Sequence, residues 1–77
     1  MDTNNATKIR FGKRQYHLHN EMIEWCNTNV GVGGWCTINE NENQTWLIEC
    51  IFGDTTFYFL RPEDAVAFKI KYSELCI

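Results

Sequence analysis

The feature of this chain that most restricts its fold is a pair of strand-like runs on either side of one glycine turn. Residues 45–52 and 55–60 are rich in β-branched and aromatic residues, which favour strands. Between them stand Gly53 and Asp54, and glycine can adopt the positive φ that tight hairpin turns require. We therefore predict an antiparallel hairpin over residues 45–60 with Gly53 and Asp54 at its turn.

The register of this hairpin predicts which side chains share a face, since partners across an antiparallel pair lie on the same side of the sheet. With this turn, Cys50 faces Phe57 and Ile48 faces Phe59. One face then carries the side chains of Trp46, Ile48, Cys50, Phe57 and Phe59. We predict that this face belongs to the hydrophobic core.

The opposite face of the hairpin is also apolar, and it carries Leu47, Ile51, Tyr58 and Leu60. The solvent side of an antiparallel sheet is normally polar, so we predict that this surface binds a partner protein or a second copy of the chain, with Tyr58 as its anchor. Trp35 joins the surface in one of the two registers of its strand, because a slip of one residue exchanges the faces. The alternative is that residues 73–77 fold back over the surface.

The rest of the chain supplies two further strands and two helices. Residues 8–11 alternate charged and bulky side chains, as a half-buried strand does, and residues 35–39 predict a short strand before a polar loop at residues 39–44. Residues 16–29 contain no Gly or Pro and repeat apolar residues at helical spacing, which predicts an amphipathic helix. The Asn- and Gly-rich residues 29–34 that follow it predict a C-terminal cap and turn.

A second helix is predicted to start at Pro62, because proline and the acidic pair Glu63 and Asp64 suit the first turn of a helix. Its core positions would be Ala65, Phe68, Tyr72 and Leu75. Residues 66–72 also alternate as a strand would, so both interpretations stay open, and the start signal favours the helix.

Together these elements predict an α+β fold in the order β-α-β-β-β-α, with a small antiparallel sheet and both helices on one face. The arrangement resembles a ferredoxin-like sandwich that has gained a hairpin and lost its last strand. A chain of 77 residues has room for one core, so we predict a single domain over residues 8–77 after a disordered tail at residues 1–7.

The charge of the chain argues against a general affinity for nucleic acid, since the net charge is −3. One local exception is a basic cluster in residues 8–14, which contains Lys8, Arg10, Lys13 and Arg14. This strand and loop are the alternative candidate site, for nucleic acid.

The residue types that bind metals or carry out catalysis do not form a recognisable motif. The cysteines Cys26, Cys36, Cys50 and Cys76 contain no C-x-x-C pair and match no zinc module. The first three fall on apolar stripes, where free cysteine is usually buried. His17 and His19 would lie about 200° apart on a helix, too far to face one metal. We expect no metal, no cofactor and no enzymatic activity, because a small core leaves little room for an active-site pocket.

The chain starts with neither the basic nor the apolar segment of a secretory leader, and no run is long enough to cross a bilayer. We therefore expect a cytoplasmic protein with reduced cysteines and no membrane partner.

Several short segments resemble small accessory proteins encoded by tailed phages. They are Gly33-Gly34-Trp35, Trp46, the run Phe52-Gly53-Asp54-Thr55-Thr56-Phe57-Tyr58-Phe59, and Asp64-Ala65-Val66-Ala67-Phe68-Lys69. The resemblance rests on structural residues and implies no catalytic positions. It implies a protein of an infected bacterium that binds a host or phage factor, so the function that we predict is a non-enzymatic protein-binding module.

Overall fold

The computed structural model describes residues 4–11, 18–35, 43–51 and 53–73, and these hold four strands and two helices. In chain order the elements are β1 (Thr7–Phe11), α1 (His19–Asn29), β2 (Gly33–Trp35), β3 (Trp46–Ile51), β4 (Asp54–Phe59) and α2 (Pro62–Lys71). The predicted α+β class is confirmed. The predictions for residues 1–3, 12–17, 36–42, 52 and 74–77 lie outside the described residues.

The four strands form one mixed sheet with the order β1-β4-β3-β2. β4 pairs antiparallel with β1 and with β3, whereas β2 pairs parallel with β3. The prediction of an antiparallel sheet is therefore wrong for β2. A parallel pair needs a crossover connection, and strand propensity does not reveal one. The strand order also does not clearly reproduce the ferredoxin-like arrangement that the sequence suggested.

The β3–β4 hairpin forms as predicted, but its register differs from the prediction by two residues. Ile51 pairs with Asp54, which leaves two residues between the paired positions, and of these Gly53 has a φ of +87°. Ile48 consequently faces Phe57 instead of Phe59. Because side chains alternate with a period of two, a shift of two residues keeps every side chain on its predicted face.

The glycine-rich segment after α1 ends the helix, as predicted, but Gly33 and Gly34 belong to strand β2 and not to the predicted turn. The backbone N–H groups of Val30 and Gly31 both donate to the carbonyl oxygen of Cys26, at 2.8 and 3.1 Å. Gly31 has a φ of +137°, a conformation that other residues rarely adopt. The guanidinium of Arg61 donates to the carbonyl oxygen of Val30 at 3.1 Å and to Asp64 at 2.7 Å, so it ties the start of α2 to the end of α1.

Residues 66–71, which the sequence left open between helix and strand, belong to helix α2. Pro62 stands in the first turn of α2 with Glu63 and Asp64, and Lys69 and Lys71 stand in its last turn. Both charge placements stabilise a helix through its dipole. The predicted core positions that the structure describes are buried, namely Ala65, Phe68 and Tyr72.

The hydrophobic core is a single cluster that joins the sheet to both helices. Its buried members are Ile9, Phe11, Met22, Cys26, Val30, Trp46, Ile48, Phe57, Phe59, Ala65, Phe68 and Tyr72. The ring centre of Phe68 lies 4.6 Å from that of Phe57 and 5.0 Å from that of Phe59, so α2 packs against the hairpin. Trp25 of α1 packs on Phe68 at 5.6 Å. We call the sheet face that carries these strand residues the core face, and the other one the outer face.

Candidate functional site

The outer face of the sheet holds the partner-binding surface that the sequence predicts. The strand registers place the side chains of Lys8, Arg10, Leu47, Glu49, Ile51, Asp54, Thr56 and Tyr58 on it. Charged and polar residues outnumber apolar ones in this set. The outer face is therefore less apolar than the sequence predicts.

Two residues of the predicted surface are not exposed on the outer face. Leu47 lies on the outer face, yet only 1% of its surface is exposed. Trp35 pairs with Ile48 in the parallel β2–β3 ladder, so it shares the core face and packs against the core cluster. Both placements correct the sequence prediction, which could not determine the register of β2 and assumed that Leu47 was uncovered.

The apolar side chains of this surface that stay exposed do not adjoin one another. Ile51 is 51% exposed and pairs with Asp54 beside the turn, whereas Leu60 is 47% exposed and follows the opposite end of β4. Six residues of strand separate positions 54 and 60, roughly 20 Å. The continuous apolar patch that the sequence predicts is therefore not formed, and Tyr58 lies half-buried between the two ends.

Polar contacts cover much of the outer face. The guanidinium of Arg10 donates to Asp54 at 2.6 Å, and the hydroxyl of Tyr58 donates to Glu49 at 2.9 Å. The ammonium of Lys8 lies 5.8 Å from the centre of the Tyr58 ring, within cation–π distance. Each cation thus has a local attractive contact, and two carboxylates lie on the same face.

These contacts bear on the alternative site for nucleic acid. Of the predicted basic cluster, Lys8 and Arg10 lie on the outer face, and Lys13 and Arg14 lie outside the described residues. A cavity of about 280 Å³ beside Arg10 is lined by Arg10, Glu49, Ile51, Asp54 and Thr56. Its two acidic residues offset the positive potential that a phosphate backbone needs.

A second recess beside the sheet lies at the edge of β1. Within the part of the chain that the structure describes, β1 pairs with β4 on one side and with no strand on the other. A groove of about 240 Å³ runs along this open side and is lined by Thr7, Lys8, Ile9, Pro62, Ala65, Val66 and Lys69. We call this recess the edge groove. One wall is strand β1 and the other is helix α2.

The helical wall of the edge groove includes an exposed apolar side chain. Val66 is 58% exposed, and Ile70, one turn later in α2, is 72% exposed. Both lie off the buried stripe formed by Ala65 and Phe68. Val66 lines the groove and Ile70 does not appear among its lining residues, so the two positions form a natural pair for comparison.

The charge of the edge groove is opposite to that of the whole chain. Among the residues that the structure describes, its lining includes Lys8 and Lys69 and no acidic residue, whereas the chain carries a net charge of −3. The guanidinium of Arg10 also lies on β1 but is paired with Asp54 at 2.6 Å, so the positive charge of the groove comes from Lys8 and Lys69. The groove is thus a local site for negatively charged groups.

His19 and Cys26 are both buried and packed against other side chains of the fold. A ring nitrogen of His19 forms a 2.7 Å hydrogen bond with the hydroxyl of Thr55, and its ring packs on Trp35. Burial lowers the pKa of His19 and raises the pKa of the Cys26 thiol to about 12, with Asp64 adding to the second shift. Cys26 is therefore a protonated thiol at neutral pH and a poor nucleophile.

The position of Cys50 corrects one prediction, whereas the predicted absence of a bound metal stays untested. Cys50, predicted to lie in the core, is exposed beside the hairpin turn. Among the residues that the structure describes, no three His, Cys, Asp or Glu side chains are grouped so as to hold a metal ion.

The edge groove was not predicted from the sequence, although one signal for it was present. Val66 and Ile70 are the apolar residues that made α2 look like a strand, and on a helix they fall outside the core stripe. An apolar residue off the stripe indicates a surface that something else can cover. The sequence could not identify β1 as the other wall of the groove, because the pairing of β1 with β4 joins segments that lie far apart in the chain.

Comparison with known proteins found no match, since no family model, curated protein or solved structure is significantly similar to this chain. The resemblance to proteins of tailed phages therefore stays a prediction. None of the helices in the described segments has the length and apolar character needed to span a membrane.

Proposed function

We propose that this chain is a small non-enzymatic protein-binding module whose partner docks in the edge groove between β1 and α2. The observation that carries the proposal is a strand edge, open within the described residues, beside the exposed side chain of Val66. A strand edge beside a groove is a recurring mode of peptide recognition, because the strand supplies main-chain hydrogen bonds and the groove accepts alternate side chains.

We further infer that both helices cover the core face, so that a partner reaches the edges and the outer face. Phe68 of α2 contacts the rings of Phe57 and Phe59, and Met22 and Cys26 of α1 belong to the same buried cluster. These contacts support the inference. A four-stranded sheet with one covered face keeps two edges, and α2 adds a wall to the edge formed by β1.

The outer face is the weaker candidate for this interface. Leu47 is buried there, and the hydroxyl of Tyr58 already donates to Glu49. A partner on this face would have to displace the Arg10–Asp54 ion pair or accommodate it. The edge groove needs neither change, since Val66 is exposed before binding.

The proposed partner is a host or phage protein, if the resemblance to phage accessory proteins holds. A second copy of the chain is the other occupant that the sequence suggests. The two are separated by measuring whether the purified protein associates with itself at concentrations where the partner binds.

A displayed library of random peptides tests the proposed function directly. We expect the folded domain to select peptides whose binding is lost when Val66→Arg places a bulky cation in the groove. Ile70→Arg, on the same helix but outside the groove lining, should keep the binding. Circular dichroism checks that both variants are folded, which exposed sites should allow.

The proposal is contradicted if the selected peptides bind both variants as well as the wild type. Peptides that bind only to the outer face would also contradict the proposal. In that case NMR amide shifts would appear in β3 and β4 and be absent from residues 7–11.

Nucleic-acid binding is the second candidate, and one observation favours it. Tyr58 lies on the outer face beside Lys8, and an aromatic ring with neighbouring cations is what single-stranded nucleic acid stacks on. Glu49 and Asp54 on the same face weaken the candidate, because they repel phosphates.

A further inference from the structure

We propose that the occupant of the edge groove is an extended acidic segment of a partner protein, which pairs with β1 as a fifth strand of the sheet. This inference rests on the proposed function and adds the chemistry of the partner to it. Three properties of the groove carry it: an open strand edge, a different environment on each side of that edge, and a positive charge.

The edge of β1 offers main-chain hydrogen-bonding groups to a partner. In an edge strand, alternate residues direct their N–H and C=O groups away from the neighbouring strand. β1 extends from Thr7 to Phe11, long enough to pair with a segment of similar length. The main-chain groups therefore recognise any extended segment and do not by themselves choose its sequence.

A strand added to β1 would have a different environment on each of its two sides. Side chains of a strand paired with β1 would alternate between the outer face and the side of α2. On the outer face their neighbours are Lys8 and Arg10, while on the other side they meet Ala65 and Val66 in the groove. The site thus suits a segment that alternates acidic and small apolar residues, since opposite charges across strands attract.

The charges on β1 favour an acidic partner over a second copy of the chain. If β1 paired with β1 of another copy in an antiparallel ladder centred on Ile9, Lys8 of one copy would face Arg10 of the other. Like charges opposite each other destabilise a strand pair, and cations on an edge are a common protection against such pairing. An acidic segment turns Lys8 into an attractive contact and can share the guanidinium of Arg10 with Asp54.

Lys69 reinforces the preference from the helical wall. It lines the groove one turn after Ala65 and is itself exposed. Because the chain has a net charge of −3, an acidic segment is repelled by the molecule as a whole and attracted at this site. The location of binding is thereby restricted to the groove.

The probes are blocked synthetic peptides that alternate valine with glutamate, with glutamine or with lysine. We expect the glutamate peptide to bind, with NMR amide shifts in residues 7–11 and 65–69 of the full chain. Its affinity should fall about tenfold or more between about 50 and about 500 mM salt, since exposed charges are screened. The lysine peptide should not bind.

Two N-methylated forms of the glutamate peptide test strand pairing. In an extended segment the N–H groups of the valines and those of the glutamates point to opposite edges. Methylating one set should abolish binding and methylating the other should leave it, because one edge of the peptide faces β1. The protein variant with Lys8→Glu and Arg10→Glu should lose the glutamate peptide and gain the lysine peptide, whereas Ile70→Arg should change neither.

Each other outcome overturns a definite statement. If library peptides bind the groove but the glutamate and lysine peptides bind equally, or neither methylation pattern matters, the acidic strand is wrong and the protein-binding function stands. If no peptide from either source shifts the groove amides, both fail. If sedimentation shows a dimer that Lys8→Glu and Arg10→Glu strengthen or weaken, with concentration-dependent shifts in β1, the occupant is a second copy instead.

Discussion

At the scale of single residues, the burial of Trp46 depends on the glycines that follow α1. The indole N–H of Trp46 donates to the carbonyl oxygen of Gly31 at 2.9 Å. A Cβ atom at Gly33 would lie 2.3 Å from the carbonyl oxygen of Trp46 and 2.5 Å from its ring. Backbone and indole therefore approach more closely at this point than any other residue type would permit.

Gly33→Ala should lower the free energy of unfolding by about 1–3 kcal/mol, because an added methyl group has to displace the backbone or ring of Trp46. Urea unfolding followed by tryptophan fluorescence measures the loss. Val32→Ala is the neighbouring control, since Val32 is exposed and its loss should change stability by less than about 0.5 kcal/mol. Equal stability of Gly33→Ala and wild type would contradict the close packing.

His19 makes the stability of the fold depend on pH. Burial lowers its pKa in the folded state, so the unfolded state takes up a proton first as the pH falls. The contribution of neutral His19 is complete above about pH 6.5 and is lost progressively below it. The folded protein should therefore lose stability as the pH falls from about 7.5 to about 5, before most carboxylates titrate.

Urea unfolding over that pH range, compared with His19→Gln, measures this effect. Glutamine can still form a hydrogen bond with Thr55 but carries no titrating group, so its stability should change less with pH. If both proteins show the same slope, the dependence comes from another group and the burial of His19 is not its cause.

At the scale of secondary structure elements, the β3–β4 hairpin separates a buried face from a partly exposed one. Phe59 lies in the core and contacts Phe68, whereas its neighbour Tyr58 is half-buried on the outer face. The faces follow from the strand period and survive the difference in register. They also determine how much each substitution costs.

Phe59→Ala should lower the free energy of unfolding by about 3–5 kcal/mol, a large part of what a domain of this size possesses. Tyr58→Ala should cost about 1–2 kcal/mol, because it removes one hydrogen bond to Glu49 and the contact with Lys8. Chemical unfolding at two protein concentrations measures both. Equal losses that do not depend on concentration would mean that the two faces have been exchanged.

The same scale explains why a charged residue at Leu47 is not a test of binding. The sequence placed Leu47 on a partner-binding surface, where a substitution would leave the fold of the monomer intact. With 1% of its surface exposed, a charge there would be buried and would destabilise the fold itself. Val66 and Ile70 on α2 are the positions where substitutions can affect a surface and leave the core intact.

At the scale of the whole molecule, small size and an open sheet belong together. A domain of 77 residues buries only about 60% of the surface that its unfolded chain exposes, so two helices are enough to build one core. Strand edges then remain, and the cations Lys8 and Arg10 on β1 are the kind of side chain that keeps such an edge from aggregating.

Nucleic-acid binding is tested at this scale, because its electrostatic part depends on the sum of charges. We expect no binding of single-stranded RNA or DNA at physiological salt by the wild type. Changing Lys8, Arg10, Lys13 and Arg14 together to glutamine removes the basic cluster, and Lys69→Gln with Lys71→Gln is the control elsewhere. A salt-dependent gel shift at micromolar protein, lost in the first variant alone, would put nucleic acid ahead of protein as the partner.

Local sequence patterns were enough to recognise the two helices, β1, the β3–β4 hairpin and most of their faces, whereas β2 begins at Gly33 instead of the predicted Trp35. The helical spacing in α1, the proline and acidic start of α2 and the glycines after α1 act within a few residues, so they can be read from neighbours in the chain. The hairpin faces were also recognisable, because alternation in a strand does not depend on which residue begins the turn.

Long-range packing decided the remainder. The parallel pairing of β2 with β3, the burial of Leu47 and the meeting of β1 with Val66 each join segments that lie far apart in the chain. Periodicity describes which side of an element is apolar and carries no information on which other element covers it. The edge groove therefore exists only in the folded chain, where β1 is the last strand of the sheet and α2 lies beside it.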